Sequence, residues 1–132
     1  MKLLSIDFNL EYNNLILAFN NPIQVNGTTK LASPGLYWTS GSDLSCEGNF
    51  GWCAVNKLVQ QKGTLWAPGE PNNAGKSEHC LAVNLNKTSA LLLDLDCTQR
   101  MNYICEARNV NLNTTNGEAI VEECRALYNI TE

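Results

Sequence analysis

Apolar residues recur with a helical period near the start of the chain. The residues of this stripe are Phe8, Tyr12, Leu15 and Phe19. Their spacing of i, i+4, i+7 and i+11 aligns them on one face of an α-helix. Asp7 is a residue type that caps helix starts, and Asn20-Asn21-Pro22 is a typical helix end. The pattern therefore predicts a helix that ends before a Gly- and Pro-punctuated loop over residues 22–35.

Five later segments have the aromatic and β-branched content, or the alternation, of short strands. They read GLYWTSG, NFGWCAV, LAVNLN, SALLLDL and MNYICEA. Between the second and third lies a Gly-, Pro- and Asn-rich segment without periodicity, about residues 56–79. Loops of this length in compact domains are usually functional or disordered. Because Trp66 and two prolines favour order, we expect an ordered functional loop.

The composition changes after Glu106. The polar segment ARNVNLNTTNG is followed by EAIVEECRALYN, whose apolar residues have helical spacing and include Cys124 on the apolar side. We therefore predict one small α+β domain over residues 1–107. Residues 108–132 are predicted to form a polar linker and an amphipathic tail helix.

Charge and hydropathy exclude two classes of partner. The net charge of −4 and the pI near 4.9 argue against nucleic acid, and no basic run is present. No stretch approaches the length of apolar sequence that spans a membrane.

The cysteines and sequons point to an oxidising compartment. None of the six cysteines falls in a CxxC pair, which argues for disulfides rather than structural zinc. Four Asn-x-Ser/Thr sequons begin at Asn26, Asn86, Asn113 and Asn129. We therefore predict a secreted glycoprotein. Its first residues lack the features of a signal peptide, so we expect that a leader was removed or that the chain begins partway into a longer protein.

One loop concentrates the candidate chemistry. The stretch GEPNNAGKSEHC holds two carboxylates, two carboxamides and the only histidine of the chain, and Asp94 follows Glu78 by sixteen residues. Carboxylate and amide oxygens are the ligands of hard cations such as calcium. Taken alone, the loop is either a cation site or a polar surface.

Three segments together resemble the C-type lectin-like domain family. They read YWTSGSDLSCEGNFGWC, LWAPGEPNNAGKSEHC and DCTQRMNYICEA, and the resemblance covers about residues 3–107. Residues 37–41 take the place of the family's Trp-Ile-Gly-Leu core motif, and EGNFGW matches its Glu-Gly-aromatic-x-Trp segment. The resemblance implies a looped, disulfide-stabilised α+β fold whose long loop binds calcium and sugar.

The resemblance also implies a disulfide framework. Cys80 and Cys97 match a framework pair, and Cys105 matches a third framework position. The family's first strand and most of its first helix, with the cysteine partner of Cys105, are expected to be missing from this chain. Cys124 then either pairs with Cys105 or bridges two chains in a dimer, to which the tail helix is a second possible contact.

A further disulfide is predicted locally. Cys46 and Cys53 flank EGNFGW, and a bridge between them would close a short loop, worth about 2 kcal/mol. Free thiols are the alternative.

The resemblance implies a ligand set that is shared by calcium and sugar. Glu70 and Asn72 stand in the Glu-Pro-Asn motif that marks mannose-type sugars, with Pro71 as the expected cis residue. Glu78 and Asp94 take the third and last positions. The family's Asn before that acid is Leu93 here, so we predict a weakened site.

A second calcium position is implied at Asp43, Glu47 and Asn73. The family's fourth residue at that position is an acid, and His79 stands in its place. The resemblance therefore leaves this position one carboxylate short.

Two functions follow from these expectations. The first is a secreted, calcium-dependent lectin module for mannose-type glycans, acting in innate immunity or cell adhesion. The second is a lectin-like protein-interaction domain that no longer binds sugar, with Leu91, Leu92 and Leu93 in the protein contact. An enzyme is not expected, because neither a nucleophile–base pair nor a cofactor motif is visible.

Overall fold

The predicted helix forms at the start of the chain. A computed structural model describes residues 2–6, 9–30, 33–60 and 63–106. Helix α1 spans Asn9–Asn20. Its end is closed by side chains, since the amides of Asn20 and Asn21 donate to the carbonyls of Ile16 and Leu17. Asp7 and Phe8 lie outside the described residues, so the predicted start of the helix stays a prediction.

A six-stranded sheet forms the body of the domain. Its strands are β4 (Gly35–Ser42), β5 (Gly51–Trp52), β6 (Lys57–Leu58), β7 (Glu78–Leu85), β8 (Ala90–Asp96) and β9 (Asn102–Tyr103). The order β6-β5-β4-β7-β8 is antiparallel throughout, and β9 adds to β4 in parallel. All five predicted strands are present in this sheet or beside it, with shorter bounds for the second and fifth.

Two strands form where a loop was expected. β2 (Ile23–Val25) and β3 (Thr28–Lys30) make an antiparallel hairpin within residues 22–35. Its turn is Asn26-Gly27, with φ of 50° and 73°. Asn-Gly between β-favouring residues is a strong hairpin signal, because both turn positions need positive φ. The expectation of a loop was therefore wrong, and the sequence carried the correct signal.

The final strand has a partner at the start of the chain. β1 (Lys2–Leu3) pairs antiparallel with β10 (Cys105–Glu106). The Leu4 amide donates to the Ile104 carbonyl, and the Leu4 carbonyl accepts from Ser40. The expectation that the final strand lacks a first-strand partner was wrong, because the few residues before the helix fill that edge.

The core lies between helix α1 and the large sheet. Its largest fully buried apolar side chains come from the sheet and its loops: Trp52, Phe50, Leu81, Leu92 and Val83. From the predicted helical stripe, Phe19 is buried, while Tyr12 and Leu15 pack against the cluster. Trp66, in the long loop, is also buried and packs its ring against Phe50. The long loop is therefore anchored to the core by its tryptophan.

The disulfide predictions have different outcomes. Cys80 and Cys97 are bridged, with Cα atoms 5.2 Å apart, which confirms that pair. Cys46 and Cys53 are exposed free thiols, so the predicted bridge between them was wrong. Each sulfur has its own neighbour: Cys46 Sγ accepts from Asn49, and Cys53 Sγ lies near the Gly51 carbonyl. Cys105 is disulfide-bonded, and the pairing proposed for Cys124 lies outside the described residues.

Two further predictions concern membrane spans and the C-terminal tail. Within the described ranges, no helix has the length and hydropathy to cross a membrane. The predicted linker and tail helix over residues 108–132 lie outside those ranges and stay a prediction.

Close packing of β4 on β7 yields a test of the sheet. A Cβ atom added at Gly41 would lie 2.6–2.8 Å from the Cδ1, Cβ and Cγ atoms of Leu81. Leu81 is fully buried and cannot withdraw. We expect Gly41→Ala to lower the free energy of unfolding by about 1–3 kcal/mol, the usual cost of overpacking. Urea denaturation followed by tryptophan fluorescence measures it.

Gly51→Ala is the matched control. Its added Cβ would lie 3.5 Å from the Lys57 carbonyl oxygen, an ordinary van der Waals contact in the same sheet. Equal stabilities for the two variants would contradict the packing described for β4 and β7.

Candidate functional site

The loop that carries the candidate ligands turns at residues suited to left-handed backbone. The Glu70–Pro71 peptide bond is cis, as expected for Pro71. A short 3-10 helix spans Ala74–Lys76. Asn73, just before it, adopts φ 43°, and Gly75, within it, adopts φ 64°. Asparagine and glycine are the residues that accept this region at least cost. The local sequence therefore folds the loop back toward β8.

Asp94 holds that loop against the sheet. Its side chain is 1% exposed. Oδ1 accepts the Asn72 amide at 2.9 Å, and Oδ2 accepts the Asn73 amide at 2.7 Å. Hydrogen bonds from N–H groups to a carboxylate are among the stronger ones in proteins. The backbone after Pro71 is thereby fixed by one buried acid.

Glu70 lies beside Asp94 with one oxygen unsatisfied. Its Oε1 accepts from the side-chain amide of Asn72 at 2.7 Å. Among the described residues, Oε2 has no hydrogen-bond partner although it is buried. The neighbouring Asp94 carboxylate is also an acceptor when ionised, so the two acids share a hydrogen bond only if one is protonated. Glu70 therefore needs either a proton or a cation.

This environment raises the pKa of Glu70 to about 7 from an ordinary 4.5. Burial is the largest cause, followed by Asp94, which can hydrogen-bond to the protonated form of Glu70 and repels its ionised form. The Asn72 amide opposes the rise in pKa, and the charge of Glu78 adds to it. The carboxylates of Asp94 and Glu78 thus both oppose the ionisation of Glu70.

Glu78 completes this region from the start of β7. Its Oε2 accepts the Ala74 amide at 2.8 Å, and its own amide donates to Asn73 Oδ1 at 3.1 Å. The four residues predicted as ligands are therefore connected through the loop backbone. We refer to Glu70, Asn72, Glu78 and Asp94 as the loop cluster.

A second cluster lies on the other side of Asn73. Asp43, Glu47 and His79 each offer a ligand atom, and these atoms lie within 4.8 Å of one another. His79 Nδ1 is 3.0 Å from Asp43 Oδ1 and 3.2 Å from Glu47 Oε2. The Asn73 side-chain amide donates to Glu47. The residues predicted for the second position therefore meet around a histidine, and Asn73 connects the two clusters.

Leu93 occupies a half-buried position next to Asp94. Burial alternates along β8, with Leu92 and Asp94 buried while Leu91 and Leu93 are partly exposed. The side chain of Leu92 is fully buried in the core, and its backbone pairs with Leu65 and Ala67 of the long loop. The expectation that Leu92 belongs to a protein contact was therefore wrong, and only Leu91 and Leu93 retain exposed surface.

A concave surface lies against Glu70. This cavity of about 610 Å³ is lined by Gly48, Gly63, Trp66, Ala67, Pro68, Gly69, Glu70 and Pro71. Among these described lining residues, Glu70 alone is charged. An extended ligand reaching Glu70 would therefore contact a mostly uncharged wall of prolines and glycines.

Sequence patterns did not indicate the donors that organise the clusters. These donors are the backbone amides of Gly48, Asn72, Asn73 and Ala74. Every residue except proline has such an amide, so only the path of the chain selects the ones that matter.

The two sequons among the described residues differ in surroundings. Asn26 is exposed at the hairpin turn. Asn86 is half-buried, and its amide donates to Ser89 Oγ at 2.8 Å while its oxygen accepts from Thr88 and Ser89. A glycan at Asn86 would attach to the nitrogen that already donates to Ser89, whereas Asn26 lies at an exposed turn. Asn113 and Asn129 lie outside the described residues.

Comparison with known proteins finds a matching family model and several similar proteins. The family model described as the Lectin C-type domain matches residues 12–107. Perlucin from Haliotis laevigata is 34% identical over 82 residues, covering 62% of this chain and 51% of perlucin. Salivary C-type lectin 2 from Aedes albopictus is 32% identical over 95 residues, covering 70% of this chain and 58% of that lectin. The chain thus spans about half the length of these relatives.

A solved structure supports the fold. The C-type lectin CEL-I from Cucumaria echinata superposes with a TM-score of 0.54 at 24% identity, covering 76% of this chain and 64% of that one. At this identity the likeness concerns the fold alone.

The raised pKa of Glu70 predicts a pH-dependent stability. An acid whose pKa rises on folding contributes stability that is fully present at pH values below its pKa in the unfolded state. That contribution is lost as the pH rises through its pKa in the folded state. The window is therefore pH 4.5 to about 7. In chelator, we expect Glu70→Gln to have a higher melting temperature than the wild type above pH 7. The two proteins should converge near pH 4.5.

Asp96→Asn serves as the contrasting variant. Thr98 hydrogen bonds lower the pKa of Asp96 from 3.8, so its contribution to stability is lost only at still lower pH. Its effect on melting should stay constant across the Glu70 window. A Glu70→Gln effect that is equally constant would contradict the crowding of Glu70 by Asp94.

Proposed function

The chain belongs to the C-type lectin domain family, and from that membership we propose that it is a calcium-dependent carbohydrate-binding module. We propose mannose-type sugars as its ligands, bound at a site weakened by Leu93. Since the chain spans about half the length of its relatives, the proposal concerns this domain rather than a whole protein.

The observation that carries the proposal is the crowding of carboxylates in the loop cluster. Glu70 has a buried oxygen without a hydrogen-bond partner among the described residues, and the charges of Asp94 and Glu78 oppose its ionisation. A cation bound between them would convert this repulsion into attraction. Removing water from such a group without compensation is costly, so the arrangement favours a bound positive ion.

The chemistry of the donors fits calcium. Glu70, Glu78 and Asp94 supply carboxylate oxygens and Asn72 supplies a carboxamide, and hard oxygen donors of this kind are what calcium prefers. When bound, calcium would supply coordination to two neighbouring hydroxyl groups of a sugar. Glu70 and Asn72 would accept from and donate to the same hydroxyls, which fixes their orientation. The cavity beside Glu70 offers space for the rest of the glycan.

Two features support the finer parts of the proposal. The Glu-Pro-Asn order at residues 70–72 is the motif that the family resemblance associates with mannose-type hydroxyls. Leu93 lacks the oxygen and the amide of the expected asparagine, so one calcium bond and one sugar hydrogen bond are lost together. We therefore propose weak calcium binding, with a Kd near 10⁻³ M, the weak end of the range of about 10⁻⁴ to 10⁻³ M for calcium in extracellular modules.

An extracellular location and glycan partners follow from the same proposal. The Cys80–Cys97 bridge needs an oxidising compartment to persist, and the exposed Asn26 turn suits a glycosylated surface. Two relatives are named as a perlucin and a salivary lectin. We propose a secreted role in glycan recognition, of the kind used in innate immunity.

One observation favours a second candidate function. Leu91 and Leu93 are partly exposed at alternate positions of β8, and the family pattern has an asparagine in place of Leu93. Partly exposed leucines next to a binding loop suit a protein contact better than a glycan. The alternative is therefore a lectin-like protein-interaction domain without sugar binding.

Calcium titration tests the first function. We expect isothermal titration to show heat on calcium addition, and Glu70→Gln to weaken calcium binding by about tenfold or more, as for loss of a metal ligand or its support. In calcium, the melting temperature of Glu70→Gln should fall below that of the wild type, the reverse of its effect in chelator. No heat from the wild-type protein would remove the lectin function.

Leu93→Asn separates the two functions. If a weakened sugar site is present, the new carboxamide should increase retention on immobilised mannose in calcium, and chelator should abolish the gain. Leu91→Asn is the matched control, since it has the same chemistry and similar burial on the same strand. Equal behaviour of both variants would favour the protein-interaction function.

A further inference from the structure

The cluster around His79 does not fit the calcium that the family resemblance implies at this position. Calcium takes oxygen ligands, whereas the central donor here is the Nδ1 atom of an imidazole. Imidazole nitrogen is instead a preferred ligand of zinc and related transition metals. We propose that Asp43, Glu47 and His79 form a Zn²⁺ site that is separate from the loop cluster.

The spacing of the donors suits a small ion. Zinc bonds to nitrogen and oxygen measure about 2.0–2.2 Å in tetrahedral sites, so neighbouring ligand atoms lie about 3.4 Å apart. His79 Nδ1 lies 3.0 Å and 3.2 Å from one oxygen of Asp43 and one of Glu47. The Asp43 and Glu47 oxygens lie within 4.8 Å of each other, and the side chain of Glu47, 58% exposed, is free to move inward and close that distance around the ion.

Each carboxylate is already aimed by a second hydrogen bond. Asp43 Oδ2 accepts the Gly48 amide at 2.7 Å, which leaves Oδ1 for the site. Glu47 Oε1 accepts from the Asn73 side chain, which leaves Oε2 for the site. Outer hydrogen bonds of this kind orient metal ligands and support affinity.

Burial gives the cluster a closed side and an open side. The Asp43 side chain is 1% exposed, while His79 and Glu47 are 27% and 58% exposed. Zinc could therefore enter from solvent, and water would complete three protein ligands to four. To hold zinc, His79 would offer an Nδ1 atom without a proton, so the neutral ring would carry its proton on Nε2, and Asp43 Oδ1 would bind the ion instead of hydrogen-bonding Nδ1.

The experiment uses the full chain with Cys46→Ser and Cys53→Ser, because these two exposed thiols would bind zinc on their own. Excess calcium is present throughout, so that the loop cluster is not the zinc site. His79 is the only histidine, so nitrogen-15 imidazole spectra report this residue alone. We expect one equivalent of Zn²⁺ to shift the Nδ1 resonance, and EDTA to reverse the shift.

Two variants distinguish metal binding from an ion pair. His79→Asp should weaken zinc binding by about tenfold or more and add one calcium ion per chain, because it restores an all-oxygen set. Glu47→Gln, at an exposed position, should weaken zinc binding similarly with little effect on melting temperature. An unshifted Nδ1 resonance, or zinc affinity unchanged in His79→Asp, would show a structural ion pair and overturn the proposal. These outcomes do not depend on sugar binding at the loop cluster.

Discussion

The arrangement of the site depends on one buried carboxylate. Asp94 projects from β8 into the protein, where it is 1% exposed and accepts the backbone amides of Asn72 and Asn73. A buried charge is tolerated only when hydrogen bonds replace the water it has lost, and these two amides provide that replacement. In return, Asp94 fixes the path of the chain after Pro71. Glu70 and Asn72 take their positions from that path.

Asn73 transmits this constraint to the second cluster. Its backbone amide donates to Asp94, its side-chain oxygen accepts from the Glu78 backbone amide, and its side-chain amide donates to Glu47. One residue with left-handed backbone therefore touches both groups of acids. A change in either cluster that moved Asn73 would alter hydrogen bonds in the other cluster, since three polar groups of Asn73 are engaged at once.

Several elements of the fold could be predicted from local patterns, and the failures have physical causes. The stripe that includes Tyr12, Leu15 and Phe19 was sufficient for the helix, because burial of one face needs a 3.6-residue period. The hairpin at Asn26-Gly27 was not predicted because its two strands have only three residues each, too few for a clear alternation, although Asn-Gly is a hairpin turn. The pairing of β1 with β10 joins residues about a hundred positions apart, and two-residue strands have no period to detect.

The sequence by itself determined which residue types are available to the site: the acids and amides of the loop, the cis-prone Pro71, and leucine in place of asparagine at position 93. Only the tertiary structure decided their environments. It left Glu70 with a buried oxygen that has no hydrogen-bond partner in the described part of the chain, placed His79 between Asp43 and Glu47, and kept Cys46 and Cys53 as separate thiols. The physical reason is that desolvation, repulsion and hydrogen bonding depend on distances of a few ångströms between residues far apart in the chain, which spacing along a sequence does not contain.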